Sequence, residues 1–161
     1  MFFKKSVLIT FSFFLSVGFA ESQKTIQKNQ VQLIENSIID IKASNVRKNR
    51  DHYTIDIFAD NIDKSIAGIQ FNLIGEDFTV IEVNGGLAES AGFNFYNGAK
   101  GVILAFSLEG KTISASKLKT PLLVLKVQKN IKGSAELNFK TLIAGERGVK
   151  LDSKFKPIVI R

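Results

Sequence analysis

The 161-residue chain has no cysteine and no tryptophan, and only one histidine. Without cysteine there is no disulfide framework and no thiolate nucleophile, so a hydrophobic core alone must hold the fold. A lone His52 cannot build a zinc site without an all-carboxylate supplement, and no Gly-x-Ser-x-Gly motif partners it for serine hydrolysis. The lack of Trp removes the strongest stacking platform for sugar rings and bases. Nucleic-acid binding would interleave basic residues with stacking aromatics, and no such stretch exists. After residue 20 no segment is apolar for long enough to span a bilayer, so the product is not expected to be membrane-spanning.

What is present begins with an address. Lys4 and Lys5 precede an apolar run from Ser6 to Val17, and Gly18-Phe19-Ala20 places small residues where a signal peptidase reads. The run falls short of the roughly 20 residues of a transmembrane helix. Residues 1–20 are therefore expected to be a cleaved signal peptide, with no cysteine after them for lipid anchoring. The expected destination is secreted, extracellular or periplasmic. Residues 21–30 are polar and rich in Lys and Gln, a flexible lead-in. Residues 31–161 are one domain's worth of chain, enough for a sizeable core.

That domain reads as strands. Ile39 and Ile41 alternate with Asp40 and Lys42, and a polar turn is expected from Ser44 to Asp51. Tyr53, Ile55 and Ile57 alternate with Thr54, Asp56 and Phe58. Ile66 to Ile74, Phe78 to Val83, Phe93 to Tyr96 and Gly101 to Leu108 follow, separated by Asn, Asp and Gly turn signals. One helical turn is expected over Leu87 to Ala91. Leu122 to Val127, Ala135 to Phe139, a short piece near Val149 to Leu151, and Pro157 to Ile160 complete the set. Phe71, Phe106 and Phe139 are expected in the core. Short strands with regular turns and no sustained helical period predict an all-β fold, a jelly-roll or Greek-key β-sandwich of two antiparallel sheets.

Catalytic constellations are missing. Asp56, Glu76, Asp77, Glu82, Glu89 and Glu109 sit at turns or on wet strand faces rather than as a paired set. Asp60, Asn61 and Asp63 lack the spacing, Gly and Glu of an EF-hand loop, so they read as a plain turn. Lys42, Arg47, Lys48 and Arg50 read as a solvated cluster. No enzyme activity, cofactor or metal site is expected.

Three segments carry a family resemblance. They are Ala67-Gly68-Ile69-Gln70-Phe71-Asn72-Leu73, the small-residue turn Gly85-Gly86 to Ala91-Gly92-Phe93, and Leu104-Ala105-Phe106-Ser107-Leu108-Glu109-Gly110. With Pro121 to Val127, they resemble the cohesin family over most of Tyr53 to Phe139. The resemblance implies a non-catalytic sandwich related to carbohydrate-binding modules. It implies docking of a dockerin, a small calcium-loaded helical domain, in polysaccharide degradation or surface attachment.

Alternation then names a candidate face. If Ile69, Phe71 and Leu73 point inward, Gln70 and Asn72 point out. If Leu123, Leu125 and Val127 are core, then Leu122, Val124 and Lys126 face outward. The expected partner-binding residues are therefore Gln70, Asn72, Leu122, Val124 and Lys126, an apolar spot beside polar amides. Two alternatives stand beside this reading. One is a carbohydrate-binding module using Tyr96 and Asn97, with a polysaccharide ligand. The other is a surface protein that self-associates through a sheet edge.

Overall fold

A computed structural model of the chain describes residues 38–60, 62–114 and 119–161. The leader expected at 1–20 and the lead-in expected at 21–30 lie outside the described residues. In chain order the strands are β1 (Ile39–Lys48), β2 (Tyr53–Asp60), β3 (Ile66–Leu73), β4 (Phe78–Asn84), β5 (Asn94–Asn97) and β6 (Val102–Phe106). After these come β7 (Leu123–Lys129), β8 (Ala135–Leu137), β9 (Phe139–Gly145), β10 (Lys150–Leu151), β11 (Ser153–Lys156) and β12 (Ile158–Ile160). One helical turn, α1 (Gly86–Ser90), joins β4 to β5.

Two five-stranded sheets form the sandwich. The first has the order β11-β1-β2-β7-β4 and the second β10-β9-β3-β6-β5, and β12 pairs with β8 in a small ribbon. Pairing is antiparallel except between β1 and β11, which run parallel. The inner faces follow from period-two alternation of β-branched and aromatic residues. Ile41, Ile55, Ile57, Leu123 and Leu125 line the first sheet, and Phe71, Ile103, Ala105 and Ile143 line the second, all without exposed surface. Phe139 links them at one side, with its ring 5.9 Å from that of Phe71 and edge-on to Phe155 at 5.2 Å.

Several expectations change in the folded chain. The polar turn expected at Ser44 to Asp51 is mostly strand. Arg47 pairs with Thr54 and Lys48 with Tyr53 after a bulge, because backbone pairing needs no apolar side chains. The run from Ala135 to Phe139 is two strands rather than one. Leu137 pairs in the small ribbon while Phe139 pairs with Leu73 in the second sheet. Phe106 lies on the outer side of β6, half-buried, while Ile103 and Ala105 take the core positions.

The small-residue turn has a definite mechanical task. Gly85 and Gly86 adopt positive φ of 69° and 68°. A Cβ on Gly86 would lie 2.5 Å from the Pro121 carbonyl oxygen and 2.7 Å from that of Leu122. The next two amides use those same acceptors. Leu87 N–H donates to Pro121 O at 2.9 Å, and Ala88 N–H to Leu122 O at 3.0 Å. Leu122 N–H donates in turn to Ile57 O at 2.6 Å. With both backbone groups engaged and α1 packed over it, Leu122 is fully buried. It precedes β7 rather than belonging to its outer face, which corrects its assignment to the partner-binding set.

Replacing Gly86 with Ala is expected to lower the thermal unfolding midpoint far more than replacing Gly110. Gly110 also has positive φ, at +72°, but a Cβ there meets nothing within 4 Å. Gly110→Ala therefore carries only the left-handed backbone cost of about 1 kcal/mol. Equal midpoints by circular dichroism would show that the contact with Pro121 and Leu122 yields at no cost.

Candidate binding face

The sandwich presents two outer faces of opposite character. On the first sheet, Asp56 is 8% exposed and accepts hydrogen bonds from three donors. Arg47 grips it in a two-pronged pair, with one nitrogen 2.6 Å from Oδ1 and the other 3.1 Å from Oδ2, and Asn45 Nδ2 donates to Oδ2 at 2.9 Å. The Arg47 hydrogen bonds hold the Asp56 carboxyl below its ordinary range against the opposing effect of burial, and Asn45 adds to the lowering. The bulge in β1 aims both donors, since it falls between Ser44 and Arg47.

Other charges of that face are also paired, beside the half-buried Phe58 and an exposed Lys156. Glu82 accepts from Lys126 Nζ at 2.5 Å and from Asn84 Nδ2 at 2.6 Å. Lys126 and then Asn84 hold its carboxyl below the usual range. Lys42 is bonded to Asp60. Val124 stands opposite Asp56 on one side and Asn84 on the other, a half-buried residue within this polar lattice.

The outer face of the second sheet is built differently. Strand register sets three rows across it. Ala144, Gly68, Phe106 and Asn94 form one row, and Leu142, Gln70, Leu104 and Tyr96 form the next. Lys140, Asn72 and Val102 form the third. Leu142 and Tyr96 are each 45% exposed. The Tyr96 ring stacks on Phe106 at 5.4 Å with 17° between planes. Gln70 Nε2 donates to Asn72 Oδ1 at 3.1 Å, which orients two amides at the centre. These rows contain no Asp or Glu. Half-exposed apolar side chains around two bonded amides, with no acid among them, make a surface closer in composition to a protein interface than to an ordinary solvated sheet.

The candidate residues are therefore divided. Gln70 and Asn72 lie outward on β3 in the second sheet, whereas Val124 and Lys126 lie outward on β7 in the first. Those two pairs face away from each other across the sandwich and cannot share one contact surface, so the five-residue set expected from alternation is not one site. Tyr96 joins Gln70 and Asn72. Asn97 does not, because its Nδ2 reaches the other way to Val80 O at 3.0 Å and Ile81 O at 3.3 Å. Leu104, Phe106 and Leu142 belong to the face and were not expected there. The alternation of Val102 to Phe106 carried the signal for two of them, since Ile103 and Ala105 are the core pair. Among the described residues no group of three or more His, Cys, Asp or Glu is placed to hold a metal. No described helix is long and apolar enough to cross a membrane.

No family model matches the chain, and no curated protein matches its sequence. Solved structures do match its fold. A chain of the CaDoc0917–CaCohA2 complex aligns with a TM-score of 0.57 at 16% identity, over 76% of this chain and 97% of that one. The third ScaB cohesin of R. flavefaciens, in complex with a group 1 dockerin, aligns at 0.57 and 15% identity, over 79% and 96%. A non-cellulosomal cohesin from the hyperthermophilic archaeon Archaeoglobus fulgidus aligns at 0.55 and 13% identity, over 76% and 88%. The chain has the cohesin fold, a β-sandwich.

The Asp56 pair gives a pH test. Because its folded-state pKa lies below the unfolded value, the pair stabilises the fold above the ordinary carboxylate range. That contribution is lost as pH falls through the folded-state pKa. Arg47→Ala is expected to melt earlier than the parent at neutral pH, with the gap closing below about pH 4, near the reference Asp pKa. Thermal melts across this range check it, and a gap that stays constant into acid would rule the carboxylate out as its source.

Proposed function

We propose that this chain is a secreted, non-catalytic docking module that binds a dockerin-type domain through the outer face of β9, β3, β6 and β5. The observation that carries the reading is the contrast between the two faces. On the first sheet Asp56, Glu82, Lys126 and Lys42 are satisfied within the chain. On the second, Leu142 and Tyr96 stand half-exposed around the bonded amides of Gln70 and Asn72. The fold supports the same reading, since the R. flavefaciens ScaB cohesin was solved with a group 1 dockerin.

Secretion rests on the leader-like residues 1–20, with an extracellular or periplasmic destination. Any calcium would belong to the dockerin, because the docking face holds no carboxylate to bind it. A role in polysaccharide degradation or surface attachment follows from the partner's class. Docking is favoured over direct glycan binding by two details. The Tyr96 ring already stacks on Phe106, and the Asn97 amide is spent on backbone carbonyls.

Leu142→Asp and Tyr96→Ala are expected to weaken capture of calcium-loaded dockerin domains from the same genome by about 30-fold or more, the scale of losing an interface hot spot. Val124→Asp, on the opposite face, is expected to leave capture unchanged. Chelation is expected to abolish capture by unfolding the partner. Binding measured by calorimetry checks the ranking, and loss with Val124→Asp alone would move the site to the other sheet.

A further inference from the structure

Two lysines and one carboxylate, Asp152, border the β9–β10 side of the docking face. Lys140 is exposed at the end of the Asn72 row and makes no ion pair among the described residues. Lys150, on the adjoining β10, pairs with Ala144 and so continues the Gly68 row. Its nearest acid is Asp152, at a loose 3.8 Å, with both side chains about three-quarters exposed. The three rows across β9, β3, β6 and β5 hold no carboxylate, so Asp152 is the one acid on this side and leaves the two lysines with a net positive charge. On the opposite face, by contrast, Lys126, Arg47 and Lys42 are each consumed by an acid of the same sheet.

We infer that the face selects a partner whose apolar helix surface is flanked by carboxylates, with Lys140 and Lys150 as the selecting residues. This inference rests on the docking reading above. The two lysines stand on the same long side of the face, with Lys150 level with Ala144, which is four residues from Lys140 along β9, or about 13 Å at the usual strand rise. A helix laid along that side presents acidic residues seven or eight positions apart at about 10–12 Å, on nearly the same helix face. The flexible lysine stems close the remaining distance. Closing the interface removes water from both pairs, so a partner carrying Lys or Arg at those places would leave like charges facing each other. The selection is electrostatic and acts at the rim, while Leu142, Leu104 and the Tyr96–Phe106 stack supply sequence-tolerant apolar contact.

The test uses the whole secreted chain and a displayed library of one calcium-loaded dockerin domain with its helix surface positions randomised. Selection on the parent chain is expected to enrich Asp and Glu two turns apart on one helix. Selection on the Lys140→Glu, Lys150→Glu double variant is expected to enrich Lys and Arg there instead. Binders from the first selection are expected to lose at least about tenfold in affinity for the double variant, as close charge pairs do. They are also expected to weaken as NaCl rises from about 0.05 to 0.5 M. Lys132→Glu, an exposed turn residue outside the face, makes a charge change of the same kind for comparison. An equal loss with Lys132→Glu would attribute the effect to overall charge and overturn the inference. Binders that Leu142→Asp abolishes but that show no acidic enrichment would also overturn it, leaving the docking face intact. Binders indifferent to Leu142→Asp would remove the docking face itself, and this inference with it.

Discussion

The approach of Gly86 to the carbonyls of Pro121 and Leu122 is the contact on which the proposed docking face depends. In a chain without cysteine, the crossing from one sheet to the other is held by packing and hydrogen bonds. Here the crossing runs from β4, at the edge of the first sheet, through α1 to β5, at the edge of the second. Two amides of α1 are anchored on the chain entering β7, and that entry is anchored on Ile57. The three links place β5 against β6, which brings Tyr96 beside Leu104 and onto Phe106. A side chain at position 86 would push the turn off its acceptors, and the donors at Leu87 and Ala88 would be left without partners.

The two outer faces show how the same architecture yields an inert surface and an available one. Exposed ion pairs contribute little stability, typically 0–1 kcal/mol. Their effect on the first sheet is to satisfy Asp56, Glu82, Lys126 and Lys42 locally, so an incoming protein would have to break a pair to use any of these four. The second sheet holds no such pairs within its rows, and its amides bond to each other. A partner gains by covering it, because half-exposed apolar surface is removed from water without unpairing a charge.

Much of this was legible in the sequence, for reasons that also mark where legibility stopped. Tyr53, Ile55 and Ile57 alternate with Thr54 and Asp56 because the first three face the core and the other two the outer side of the sheet. Gly85 and Gly86 announced a turn because left-handed backbone has few other occupants. Strand β9 escaped notice. Its outward residues include Leu142 and Ala144, and apolar residues on the outer side erase the polar half of the pattern. Phe106 was placed in the core for the same reason. Alternation also assigns a residue to one side of its strand but says nothing of which sheet holds that strand. Gln70 and Val124 could therefore be grouped on paper while lying on opposite sides of the fold. Leu122 was misplaced by a single residue, since it ends the connection before β7 and its fate is set by α1, far from it in sequence.

The Asn97 amide, described as reaching to Val80 and Ile81, has a consequence beyond withdrawing that residue from the face. β4 and β5 are the outermost strands of their sheets on the same flank, and outermost strands invite templated growth into fibrils. One side chain fastens the two rims together and caps two acceptor carbonyls that a foreign strand would otherwise capture. The irregular register between Val80 and Glu82 bends the same stretch out of line. A sticky sheet face can thus be displayed by a protein that offers polymerising neighbours little purchase on this flank.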